Sequence, residues 1–304
     1  MFAFLIDRDC KTLRAKWLPA LLLACFLLMA GCVNLDDVAQ FTKLAENARQ
    51  TLPAVVADIP ASCERHNKLF EEIPDAERPP NSAAQDCKAY RDLADHLNKD
   101  QNVLIEYFDS LGKLASNLPL SYEANIDTNV QTISQMPGLS QGAITASTAA
   151  QKIAKVLADA VTKSYREHKV NSIIASTDEA VQELTKALKE VVVDDYAGSQ
   201  GGILSSEAQI MDTYYQSPMA AAGKSERLAL ILVQRQYDGD KLALQSRKDA
   251  AQAYGQVMTN LASLHSKLKA EAAKKASLRD IGQQIGPEVA NLKDAISQLR
   301  TKAK

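Results

Sequence analysis

Tryptophan and glycine are nearly missing from this chain, and so are the short motifs that announce chemistry. Its 304 residues include one Trp, Trp17, and 12 Gly. Scarce glycine beside abundant Ala, Leu, Lys, Gln and Glu favours helix throughout. No segment alternates with the two-residue period of a strand, so the expected fold is all-α, an elongated helical bundle of long amphipathic helices. H-E-x-x-H is absent, and the G-x-S-x-G at Gly138-Leu139-Ser140-Gln141-Gly142 has no strand pattern before it to form a nucleophile elbow. The acidic run Glu71, Glu72, Asp75, Glu77 lacks the alternating order of a calcium loop. Pro218 to Ser225 reads PMAAAGKS. Proline stands there where a phosphate-binding loop needs its first glycine. The reading is therefore non-enzymatic, with no cofactor, no metal and no nucleic-acid partner.

Long apolar runs are missing too, apart from the N-terminus. Arg8, Lys11, Arg14 and Lys16 precede WLPALLLACFLLMA, residues 17–30. A basic region, a short apolar region and a small-residue exit make an export signal. The apolar stretch is shorter than the roughly 20 residues a membrane span needs. It ends at Leu28-Met29-Ala30-Gly31-Cys32, and polar Asn34, Asp36 and Asp37 follow. Cys25 also follows a small residue, but it lies inside the apolar run behind bulky Leu23.

The exit at Ala30-Gly31-Cys32 resembles the lipobox of bacterial lipoproteins, with Met29 where leucine is usual. The resemblance covers residues 1–32 and implies a signal peptide over 1–31. It also implies a mature chain over 32–304 whose Cys32 carries covalent lipid (palmitate and related acyl chains). Two or more acyl chains give stable anchoring, at about 0.8 kcal/mol per buried methylene. The partner so implied is the membrane itself, reached through a lipid anchor and not through a spanning helix. Val33 stands where aspartate commonly marks inner-membrane retention. The resemblance thus implies the outer membrane, with the domain facing the periplasm or the cell surface.

Cys63 and Cys87 remain in the mature chain. Export places them in an oxidising compartment, where a disulfide is expected. A metal site is the alternative, but His66 and His96 show no tight ligand spacing to them. The bridge would tie a short helix between Pro60 and Pro79-Pro80 to the start of a long one over 84–117.

Apolar periodicity gives helices from Val38 to Leu52, with a break or kink at Pro53. Further helices run from Tyr90 to Leu118, from Ser147 to Val161, from Ser205 to Ser217, from Ala250 to Leu268 and from Ile281 to Leu299. Asp100 occupies a step of the long seam where an apolar residue belongs. Ser82-Ala83-Ala84-Gln85 and Ser176-Thr177-Asp178-Glu179 both read as capping boxes that open helices. Residues 119–145 lose charge and gain Pro and Gly, and 197–203 carry Gly198, Gly201 and Gly202. Both are candidate sub-boundaries, the first with a short helix through Ile126, Val130 and Ile133. Leu228 to Val233 reads LALILV, apolar on every face, and is expected at the centre of the core.

Charge is uneven. Residues 33–110 carry eight bases and fifteen acids, whereas 241–304 carry twelve and five. Lys267, Lys269, Lys274, Lys275 and Arg279 cluster where the apolar pattern lapses. One reading packs them against acids of the first helices; the other makes them a site for an anionic envelope polymer. Packing is the reading adopted. The function implied is a non-enzymatic envelope scaffold or adaptor with a protein partner in the envelope. The alternative is a binding module for a ligand or polyanion.

Overall fold

The computed structural model describes residues 36–79, 82–115, 141–162, 168–199, 201–221, 226–274 and 278–302. Seven α-helices and no strand occur among them. They are α1 (Asp36–Glu72), α2 (Cys87–Ala115), α3 (Gln141–Thr162), α4 (His168–Lys189), α5 (Ile203–Ala221), α6 (Arg227–Ala273) and α7 (Leu278–Lys302). A 3-10 turn, Asp75–Glu77, follows α1, and a π-helical stretch, Glu190–Tyr196, extends α4. The fold class read from composition and periodicity is the one observed. Each helix packs on the next: α1 on α2, α2 on α3, α3 on α4, α4 on α6, α6 on α7, and α7 back on α1. The remaining helix, α5, lies on α1 and α6.

Prolines do not break α1. The helix runs through Pro53 and Pro60 for 37 residues, about 55 Å. An interior proline loses one backbone hydrogen bond and crowds a carbonyl, a cost of about 3 kcal/mol. Here Leu52, Val55, Val56 and Ile59 are all buried on the core side. Burying each such side chain contributes about 1.5–3 kcal/mol, so packing outweighs the two defects. The helix carrying Cys63 is therefore part of α1 and not a separate short one. Cys63 and Cys87 form a disulfide across 24 residues, with their Cα atoms 5.6 Å apart.

Both expected capping boxes are corrected. The first turn of α2 is capped by Asp86, whose Oδ1 accepts from the Lys88 N–H (3.0 Å). Ser82 instead donates to the Pro79 carbonyl (2.6 Å), and the Gln85 N–H donates to Asn67 Oδ1 (2.8 Å). Ser176 and Thr177 sit in mid-helix in α4, where each hydroxyl donates back to the Ile173 carbonyl. Hydroxyls of this kind satisfy themselves locally within a helix as readily as at its start.

The LALILV segment is also corrected. It is not at the centre of the core. It forms the first turns of α6, where Leu228 is 72% exposed and Leu232 58%. The core lies instead around Tyr107, Tyr196, Tyr254, Phe41, Leu52 and Ile153, all fully buried. The region 119–145 lies outside the described residues up to 140, and from Gln141 it is already α3. Gly198, Gly201 and Gly202 fall in the turn before α5. There Gly201 adopts φ +78°, a conformation that favours glycine.

Candidate functional site

Polar side chains that periodicity put on buried faces gather into two networks. The first links α2, α4 and α6. His265 Nδ1 lies 3.0 Å from Asp178 Oδ1, and His265 Nε2 lies 2.7 Å from Tyr107 Oη. Tyr107 Oη in turn lies 2.7 Å from Thr177 Oγ1. Lys269 donates to the other oxygen of Asp178 (2.7 Å). Burial holds the His265 imidazole below its ordinary pKa, although Asp178 pulls the other way. A neutral imidazole facing a carboxylate carries its proton on Nδ1. Nε2 then accepts from the Tyr107 hydroxyl. Hydrogen bonds from Lys269 and His265 hold Asp178 below the usual carboxylate range against a larger desolvation effect that raises it.

Carboxylate, imidazole and hydroxyl thus stand in the order of a nucleophile-activating relay. Its imidazole and hydroxyl groups are sealed in the core. Tyr107, Thr177 and His265 are buried at 0%, 1% and 0% exposure, and the Phe108 ring stands edge-on to both Tyr107 and His265. The nearby cavity, about 20 Å³, is lined by apolar groups including Phe41, Leu104, Phe108 and Leu261. A void of that size and polarity holds at most a water-sized group. The relay as built ties three helices together at one level of the core.

The second network joins α1, the π-helical stretch, α5 and α6. Glu207, 3% exposed, accepts from Ser62 Oγ (2.5 Å), Arg65 Nε (2.8 Å) and Arg247 Nη2 (2.6 Å). Asp58 accepts from Arg65 Nη2 (2.9 Å) and from the Tyr196 hydroxyl. Two carboxylates against two guanidinium groups leave no net charge, which is how buried charge is tolerated. Desolvation, with the Asp58 carboxylate beside it, pushes the Tyr196 phenol well up.

Asp100 stands apart. It is fully buried, its Oδ2 accepts from Ser147 Oγ (2.6 Å), and its Oδ1 has no hydrogen-bond partner. Desolvation pushes its pKa up to about 7. The missing apolar residue in the α2 seam is therefore a carboxyl group inside the bundle.

Of the basic cluster, Lys269 is held by Asp178 and Lys274 donates to Glu271 (2.7 Å). The partners are acids of α4 and of α6 itself, not of the first helices as expected. Lys267 is half-buried on α6. Lys275 and the Arg279 side chain lie outside the described residues, as does Cys32. Among the described residues no three His, Cys, Asp or Glu side chains gather to hold a metal. No described helix is long and apolar enough to cross a membrane.

Sequence reasoning missed both networks, yet a signal was present. His265 interrupts the seam of Val257, Leu261, Leu264 and Leu268, and Glu207 interrupts that of Leu204, Ile210 and Met211. A polar residue on a buried face needs a partner, so each such step asks for one on a neighbouring helix.

One further face stands out. The first half of α6 leaves Leu228, Ile231, Leu232 and Leu242 exposed. Its opposite face rests on α5, where Tyr237 donates to Asp212 (2.7 Å) and Tyr215 donates to Asp240 (2.5 Å). No family model, curated protein or solved structure matches the chain.

Proposed function

We propose that this protein is a lipid-anchored helical scaffold or adaptor of a bacterial envelope, held at the outer membrane through acylated Cys32. The observation that carries the reading is the exit Ala30-Gly31-Cys32 after an apolar run, four residues before α1 begins at Asp36. In such a protein the anchor is chemical and the bundle presents surfaces. Support comes from the sealed polar networks, which hold helices in place, and from the exposed apolar face of α6. The Cys63–Cys87 disulfide fits an oxidising compartment. A polyanion-binding role for Lys267, Lys269, Lys274, Lys275 and Arg279 is the second reading. It is less favoured because Lys269 and Lys274 are already paired with carboxylates.

Mass spectrometry of the mature protein from the membrane fraction tests the anchor. The expected N-terminus is a diacylated or triacylated Cys32, and Cys32→Ala leaves an uncleaved, unacylated chain. A mature N-terminus elsewhere, or an unmodified Cys32, overturns the proposal.

A further inference from the structure

The free half of α6 carries a pattern of its own. On a helical projection Leu228, Ile231, Leu232, Arg235, Gly239 and Leu242 fall within one stripe about 100° wide. Leu228, Ile231, Leu232 and Leu242 are 72%, 40%, 58% and 73% exposed. Together they present roughly 400 Å² of apolar side chain, at the size where an exposed patch marks an interaction site. The diametrically opposite residues, Val233, Tyr237 and Leu244, are the ones packed toward the bundle. Over this half of α6 the stripe faces away from α5, the neighbour that Tyr237 and Asp240 contact. At Gly239 a side chain would meet nothing within 4 Å.

A heptad overlaps the stripe, with Asp238 and Gln245 just beyond its edge. Leu228, Arg235 and Leu242 take one set of seam positions, and Ile231, Asp238 and Gln245 take the other. Two identical helices running parallel would set Arg235 against Arg235 and Asp238 against Asp238, which repel. Running antiparallel, each position of the first set meets one of the second. Ile231 then faces Leu242 of the other copy, Leu242 faces Ile231, Arg235 and Asp238 face each other twice, and Leu228 at each end meets Gln245. The centre of the face is self-complementary in charge in that register, as a two-fold interface requires. Arg235 makes no ion pair among the described residues, and Asp238 accepts only from Gln234 (2.9 Å).

We infer that the exposed face of α6 over residues 228–245 is a homodimer interface, pairing antiparallel with α6 of a second copy. The contact is small for a protein–protein interface, so the dimer is a reversible one of micromolar strength. It sends the two bundles away from each other on opposite sides of the two-fold axis. The inference stands on this face alone and does not depend on acylation at Cys32.

The test uses the full-length chain as cells make it. Ile231→Cys and Leu242→Cys are prepared as separate proteins, mixed and oxidised, and the linked peptides are mapped by mass spectrometry. A 231–242 link, which can form only between copies, is expected to dominate. In parallel, sedimentation equilibrium in density-matched detergent is run up to about 100 µM, well above the micromolar Kd expected. A dimer is expected, weakened about ten-fold or more by Arg235→Glu and restored when Asp238→Arg is added. A monomer throughout, a dominant 231–231 link, or no rescue by the second charge reversal overturns the inference.

Discussion

The two halves of α6 share one helix and obey opposite rules. From Ala250 to Ala272 the helix is packed on α4 and α7, and Tyr254, Val257, Met258, Leu264 and His265 are fully buried. From Leu228 to Leu242 it rests on α5 on one side, and four large apolar side chains are exposed. The outward half holds the denser apolar run, LALILV, while the buried half admits Gly255 and a histidine. Hydropathy therefore sets how much a segment gains by burial. The number of neighbours that reach it decides whether it is buried.

The largest break in this comparison is expected at the junction of the halves. Arg247 and Arg65 meet Glu207 there. Glu207→Ala strands two cations beside Asp58 alone and should cost about 3–5 kcal/mol of unfolding free energy in urea melts.

Next in size is a pH effect opposite the buried half. Asp100 lies beside Gln101, which accepts from the Tyr254 hydroxyl (3.2 Å). Its folded pKa, pushed up to about 7, exceeds the unfolded value. The folded state thus binds the extra proton, and the contribution is fully present below about pH 4 and lost as pH rises through 7. Across pH 4 to 8 that loss is on the order of 3–4 kcal/mol. Asp100→Asn should remove it, so the variant gains stability over wild type as pH rises. His265 and Asp178, whose folded values are depressed, act in the opposite sense and destabilise at acid pH in both proteins. The difference between the two pH profiles isolates Asp100, and parallel profiles would contradict the assignment.

The core contrast is smaller. Leu264→Ala should cost about 3 kcal/mol. Leu228→Ala, measured on dilute monomer, should stay within about 0.5 kcal/mol. Equal costs would mean that the two halves are packed alike.

The finest test uses two glycines of the same helix. A Cβ at Gly255 would meet Val193 Cγ2 at 2.6 Å, whereas one at Gly239 meets nothing. Alanine at Gly239 should stabilise dilute monomer by about 1 kcal/mol through helix propensity. Alanine at Gly255 should destabilise by about 1–2 kcal/mol because the Val193 side chain must shift to admit the methyl group. Thermal melts of the two variants should shift in opposite directions.

The amino-acid sequence by itself determined the helical class, the seams of α2, α6 and α7, and the cysteine pair. It also carried the lipobox-like exit at Cys32. Each follows from local spacing or from the short list of partners a residue has. Only the tertiary structure decided that Pro53 and Pro60 lie within one helix, because burial along α1 outweighs a local penalty. It alone joined Tyr107, Asp178 and His265, which are up to 158 residues apart. It alone showed LALILV facing outward. A periodic pattern reveals that a helix has an apolar side, but the partner that covers that side comes from elsewhere in the chain or from another copy. That pairing is a property of the assembled bundle, where the cost of leaving each face open is weighed against all the others at once.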